Sequence, residues 1–162
     1  MSTNQATWKR IDIIIKWSPP ISFEEAKIVE NENNTFLYKI IGRYNETYKL
    51  FYIGKCVKQK FSTRIFQKDH RLKQASFKDE HKKHRFMVSL GRLTENEKHK
   101  PAEISNVESL LIFAHSHNGY PEMKNIQCTL THSVIKNYRI TNNGWRKDKM
   151  YKIVAYGLHM TD

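Results

Sequence analysis

The chain has 162 residues, with 28 Lys+Arg against 16 Asp+Glu and a formal net charge of +12 at pH 7. That length supports one compact domain with its own core, and 39% apolar and 12% aromatic residues can fill it. The cationic excess calls for a polyanionic partner, while two cysteines, Cys56 and Cys128, exclude a disulfide framework or a CxxC metal site.

Ile11 to Ile15 is too short and too flanked by charge to span a bilayer, and no secretory h-region precedes it. A membrane partner is not expected. The sparse cysteines fit a reducing compartment, hence a cytoplasmic protein.

Trp8 to Trp17 reads as a strand, with Ile11, Ile13 and Ile15 in alternation, and Ser18-Pro19-Pro20 breaks it. Ser22-Phe23-Glu24-Glu25 has capping-box spacing and predicts a short helix that ends near Asn31-Glu32-Asn33-Asn34. Two β-rich runs follow, Phe36-Leu37-Tyr38-Lys39-Ile40-Ile41-Gly42 and Leu50-Phe51-Tyr52-Ile53-Gly54-Lys55. The polar stretch Arg43-Tyr44-Asn45-Glu46-Thr47 between them has turn chemistry and predicts an antiparallel hairpin. A turn centred on Asn45 sets Tyr38 directly opposite Tyr52, their Cβ atoms about 5 Å apart on one face. Two phenols, Gly54, Lys55 and the downstream Arg64 would then share one surface suited to holding a phosphate.

Lys58 to about Lys73 reads as a basic helix carrying Arg64, and Ala75 to Lys83 as polar, irregular or loosely helical. Arg85 to Gly91 predicts a third strand. Pro101 suits the first turn of a helix that runs to about His115. Asn118-Gly119-Tyr120-Pro121 reads as a loop. Tyr138 to Thr141 and Tyr151 to Tyr156, around Asn142-Asn143-Gly144, predict a terminal hairpin.

The tyrosine runs resemble the signature of the GIY-YIG nuclease family over roughly residues 35–126. Phe36-Leu37-Tyr38 stands for the first motif and Tyr52-Ile53-Gly54 for the second. Arg64 matches the family's helical arginine, Glu108 its later glutamate and Asn125 the asparagine beyond it. Phe36 and Leu37 depart from the glycine and isoleucine of the first motif, but the tyrosine is kept. A family histidine four residues after the arginine is replaced by Lys68; His70 and His84 lie nearby in sequence.

The resemblance implies an α/β (α+β) fold in the core order β-β-α-(α)-β-α. Its central sheet would be three-stranded, mainly antiparallel and flanked by helices, with extra strands from both ends. The chain reads as one domain, 1–162. A nuclease-like core at about 35–126 carries an N-terminal strand–helix extension, 1–34, and a C-terminal hairpin extension, 127–162.

The implied activity is a DNA endonuclease that hydrolyses phosphodiester bonds with magnesium or manganese. Tyr38 or Tyr52 would activate or position water once neighbours lower a phenol pKa. Lys55 would depress that pKa or touch phosphate. Arg64 would stabilise transition-state charge through its forked guanidinium. Glu108 would hold the metal, because an unpaired carboxylate beside Leu110, Leu111 and Ile112 is costly. A helix cap is its other reading, since Ser105-Asn106-Val107-Glu108 also has capping-box spacing. Asn125 would complete the site or serve as a turn residue.

Lys55, Lys58, Lys60, Lys68, Arg71, Lys82 and Lys83 are the candidate nucleic-acid contacts. His81-Lys82-Lys83-His84 reads as a solvated basic stretch rather than a metal site, for want of further spaced ligands. A short chain without a separate DNA-binding domain suits a stand-alone enzyme of restriction or phage type. Double-strand cutting from one site per chain would call for a homodimer. The alternative is a non-catalytic, basic nucleic-acid-binding module on the same scaffold, because binding needs mainly the charge.

Overall fold

Among the described residues seven strands form a single sheet in the order β3-β2-β4-β1-β5-β6-β7. The protein is represented by a computed structural model that describes residues 9–29, 36–94, 99–117, 120, 123, 125, 137–156 and 158–160. In chain order the elements are β1 (Ile11–Trp17), α1 (Phe23–Ile28), β2 (Phe36–Tyr44), β3 (Thr47–Cys56), α2 (Phe61–Ile65), α3 (Lys68–Glu80), β4 (Arg85–Leu93), α4 (Pro101–His117), β5 (Tyr138–Gly144), β6 (Ile153–Ala155) and β7 (Leu158–Met160). The mixed α and β architecture agrees with the sequence, but the expected three-stranded central sheet with added terminal strands is one continuous larger sheet.

The cause of the larger sheet is β1. It pairs antiparallel with β4 on one side and parallel with β5 on the other, so the two terminal extensions continue the central strands. The expected terminal hairpin exists as β5 against β6, with Thr141 opposite Ile153. Asn142-Asn143-Gly144 is not its turn. Those residues pair with Ile15, Lys16 and Trp17, and Trp17 Nε1 donates to Asn142 Oδ1 at 2.9 Å. A tertiary partner thus overrides local turn chemistry.

Ser22 caps α1 in a complete capping box with Glu25, but α1 stops at Ile28. The connector at Asn31 to Asn34 lies outside the described residues, as does most of the Asn118–Pro121 loop. The expected Lys58–Lys73 helix is two helices, broken at Phe66 and Gln67, and α3 continues to Glu80 through the stretch read as irregular or loosely helical, of which the helical alternative holds. Phe77 is its buried anchor, 1% exposed. That contact fixes a helix whose sequence periodicity is weak.

The sheet carries a core on each face. One contains Ala26 of α1, Phe61 and Ile65 of α2 and Phe77 of α3, packed on Tyr38, Ile40, Tyr52, Val88 and Leu90. The other contains Ile104, Val107, Leu110 and Leu111 of α4, packed on Leu37, Leu50 and Ile53. Spacing of three and four residues gives α4 its apolar stripe. On the α4 face Lys39 is fully buried and paired with Asp148 at 2.8 Å. Its ammonium lies 4.8 Å from the Trp17 ring and 5.1 Å from the Trp145 ring, which ties the C-terminal extension to β2.

Candidate active site

The geometry begins with the β2–β3 hairpin. Tyr44 pairs with Thr47, so the turn holds Asn45 and Glu46, and Asn45 takes φ 52°, a left-handed conformation asparagine tolerates. The register then shifts between Ile40 and Ile41. Ile41 faces Leu50, Ile40 faces Tyr52, and Phe51 is the extra residue of a β-bulge. Phe51 and Tyr52 both enter the core on the α1–α3 face. Without the bulge, strict alternation would send Tyr52 to the other face from Tyr38.

Tyr38 therefore stands opposite Gly54, not opposite Tyr52 as a turn centred on Asn45 requires. The two phenols still share a face, diagonally, with ring centroids 6.0 Å apart. Gly54 is necessary here: a Cβ on it would lie 2.5 Å from Tyr38 Cζ and Oη. The glycine of the second motif makes room for the tyrosine of the first.

Residues from α2 and α3 close over the pair. Phe61 packs edge-on against Tyr38 at 5.2 Å. His70 is 1% exposed and lies edge-on to Tyr52, with centroids 5.7 Å apart. The Tyr38 hydroxyl is 3.4 Å from both His70 ring nitrogens, too long and too evenly shared for a strong hydrogen bond. Lys73 Nζ lies 4.8 Å from the Tyr52 ring centroid, a cation–π contact.

His70 is thus the histidine of the cluster, six positions after Arg64 rather than four. The break between α2 and α3 re-phases the chain. His84 instead packs among Tyr44, Phe51, His81 and Phe86.

Arg64 is half-buried in α2. Its Nη1 bonds to Gln67 Oε1, and among the described residues its buried Nε has no hydrogen-bond partner. Its charge reaches both Tyr38 and Cys56, where it opposes deprotonation costs. Burial nevertheless dominates. It raises the Tyr38 phenol well above its ordinary value, with Tyr52 adding to the rise. It also pushes the Cys56 thiol up to about 12. Tyr38, fully buried, is a phenol that keeps its proton, contrary to the lowered pKa expected of a base.

Lys55 and Glu108 lie on the other face. Lys55 stands opposite Leu37 and shares the α4 side of the sheet, so it does not join the phenols on one surface. Its Nζ contacts Glu108 Oε2 at 2.8 Å and donates to Ser105 Oγ at 2.9 Å. Because α4 begins at Pro101, Glu108 sits two turns inside it and is no cap. β3 is the outermost strand of the sheet, and the field of Glu108 reaches Tyr38 and Cys56 on the far face.

Glu108 offers one carboxylate to a hard divalent cation. Its side chain is 15% exposed and already receives one cation, and magnesium commonly uses one or two carboxylates with water and phosphate oxygens completing its shell. Among the described residues no group of three or more His, Cys, Asp and Glu forms a closed cage.

Asn125 has a definite job. Its Oδ1 accepts from Ile53 N–H at 3.0 Å and its Nδ2 donates to Ile53 C=O at 2.7 Å. It satisfies the outward backbone groups of the edge strand between Tyr52 and Gly54. Lys58, Lys60, Lys68 and Arg71 are exposed along the β3–α2–α3 run beside Arg64. Lys82 and Lys83 are exposed at the other end of α3, about 20 Å away. Among the described residues no helix is long and apolar enough to cross a membrane.

No family model, characterised protein or solved structure matches the chain.

Proposed function

We propose that the protein is a metal-dependent DNA endonuclease. One observation carries the reading: the buried Tyr38 phenol packs with its ring 6.0 Å from that of Tyr52, and His70 of α3 lies against both. That phenol and its partner tyrosine come from the two motif-like runs. Arg64 on the tyrosine side and Glu108 on the other face of the same edge strand supply the two signs of charge that a phosphoryl transfer uses, where catalysis is positioning and charge stabilisation.

Arg64 takes the phosphoryl oxygens through its forked guanidinium. Tyr38 keeps its proton and packs against the rings of His70 and Tyr52. Tyr52, 5% exposed and beside the Lys73 cation, is the phenol that positions the water. Glu108 holds magnesium or manganese, which when bound neutralises developing charge and assists the leaving oxygen. Lys58, Lys60, Lys68 and Arg71 track the backbone, with Lys82 and Lys83 as a second contact. Two strand cuts from one site per chain call for a homodimer.

The second reading is a binding module without catalysis. It is favoured by the Lys55–Glu108 pair, which neutralises the proposed metal ligand. Incubation with plasmid and phage DNA, with and without magnesium, separates the two. The enzyme nicks or linearises DNA only with the metal; the module binds and never cuts.

A further inference from the structure

Lys55 occupies the place a cation would take at Glu108. Its Nζ lies 2.8 Å from Glu108 Oε2 and donates to Ser105 Oγ at 2.9 Å, while Ser105 Oγ donates to the Pro101 carbonyl at 3.1 Å. Ser105 and Glu108 are three residues apart, so one face of α4 offers the ammonium a two-point seat. The pair is half-buried, with side-chain exposures of 31% for Lys55 and 15% for Glu108. Solvent therefore screens it only in part, yet the lysine remains reachable.

We infer that Lys55 is an exchangeable counter-ion that couples divalent-cation binding to nucleic-acid binding; the inference rests on the nuclease reading above. One carboxylate cannot hold an ammonium and a divalent ion at contact without their mutual repulsion. Without nucleic acid, Lys55 holds Glu108 and the protein binds the metal poorly. A lysine carries its charge on a flexible four-carbon stem, so an arriving phosphate draws the ammonium off the helix. Glu108 is then released to the metal while Lys55 stays with the backbone phosphate. Arg64 cannot make this exchange, because it lies on the other side of the sheet and is held by Gln67. By linkage, nucleic acid and metal raise each other's affinity by the same factor.

The test is calorimetric titration of the whole chain with calcium chloride, with and without a short DNA duplex, folding being checked by circular dichroism. Wild type binds calcium weakly alone and more tightly with the duplex. Lys55→Met binds calcium about tenfold more tightly without DNA, and its gain on adding DNA shrinks by a comparable factor. Ser105→Ala, which loosens the seat, shifts both quantities the same way by less. Lys78→Met removes equal charge from an exposed residue of α3 and leaves calcium affinity at the wild-type value. Unchanged or weaker calcium binding in Lys55→Met overturns the inference, as does an equal gain in Lys78→Met. Wild-type calcium affinity in Glu108→Gln, in both settings, overturns the nuclease reading itself.

Discussion

Tyr38 stands directly across the β2–β3 pair from Gly54, and its ring occupies the space of a Gly54 side chain. Gly54→Ala would put a methyl group 2.5 Å from Tyr38 Cζ, and the fully buried ring is walled in by Phe61 and His70. The expected cost is about 1–3 kcal/mol of stability, as for other overpacked cores. In a Tyr38→Ala background the same change should cost much less, because the clash is gone. Urea denaturation of the four proteins of this cycle reads both values. Equal costs in the two backgrounds would contradict the close approach.

The same burial predicts an alkaline limit. The folded Tyr38 phenol ionises well above its ordinary value of 10.0, with desolvation the largest cause. The folded state thus holds a proton that the unfolded state releases near that value. The stabilisation is complete below the unfolded pKa and is lost as pH rises toward the folded one. Stability of the wild type should fall as pH rises above about 10, and Tyr38→Phe should flatten part of that fall. Parallel slopes would show that Tyr38 ionises freely. Cys56 and Tyr120 shift the same way, so the difference between the two proteins carries the result.

Much of this framework is legible in the sequence, for local reasons. The isoleucine alternation of β1, the Ser22–Glu25 box, the hairpin and the Pro101 start of α4 are each set by neighbours in the chain. The Phe51 bulge is not local. It exists because Phe51 packs against Phe77, His81 and Phe86, residues far along the chain. The strand character of Asn142 to Gly144 depends on β1 in the same way. Tyr38, Tyr52 and Arg64 were readable as one cluster, while His70 was hidden by the helix break. The displacement of Lys55 to the other face was readable in principle, since adjacent strand residues point to opposite faces.

Asn125 braces the edge strand through both of its amide groups. Asn125→Ala should cost about 1–3 kcal/mol, since two backbone groups lose their partners. The Ile53 amide should also lose protection in hydrogen exchange, while amides of β4 keep theirs. Unchanged exchange at Ile53 would remove the brace and leave Asn125 a role elsewhere.

Lys39 and Asp148 form a fully buried ion pair. Removing one partner strands a charge, so Lys39→Met or Asp148→Leu alone should destabilise by about 3–5 kcal/mol. The double substitution should recover most of that loss, because two apolar groups need no partner. Thermal unfolding of the three variants checks this. Additive losses in the double variant would mean that the pair is not coupled.

The central claim is that Glu108 and Arg64 serve chemistry at the tyrosine cluster. Its most direct measurement pairs cleavage with binding on a broad DNA panel in magnesium, comparing wild type, Glu108→Gln and Arg64→Ala. The account predicts that wild type cuts, that Glu108→Gln still binds DNA without cutting, and that Arg64→Ala cuts about 100-fold more slowly while binding only modestly less well. Wild-type protein that binds across the panel and cuts none of it, with Glu108→Gln binding identically, would contradict the enzyme and leave the binding module.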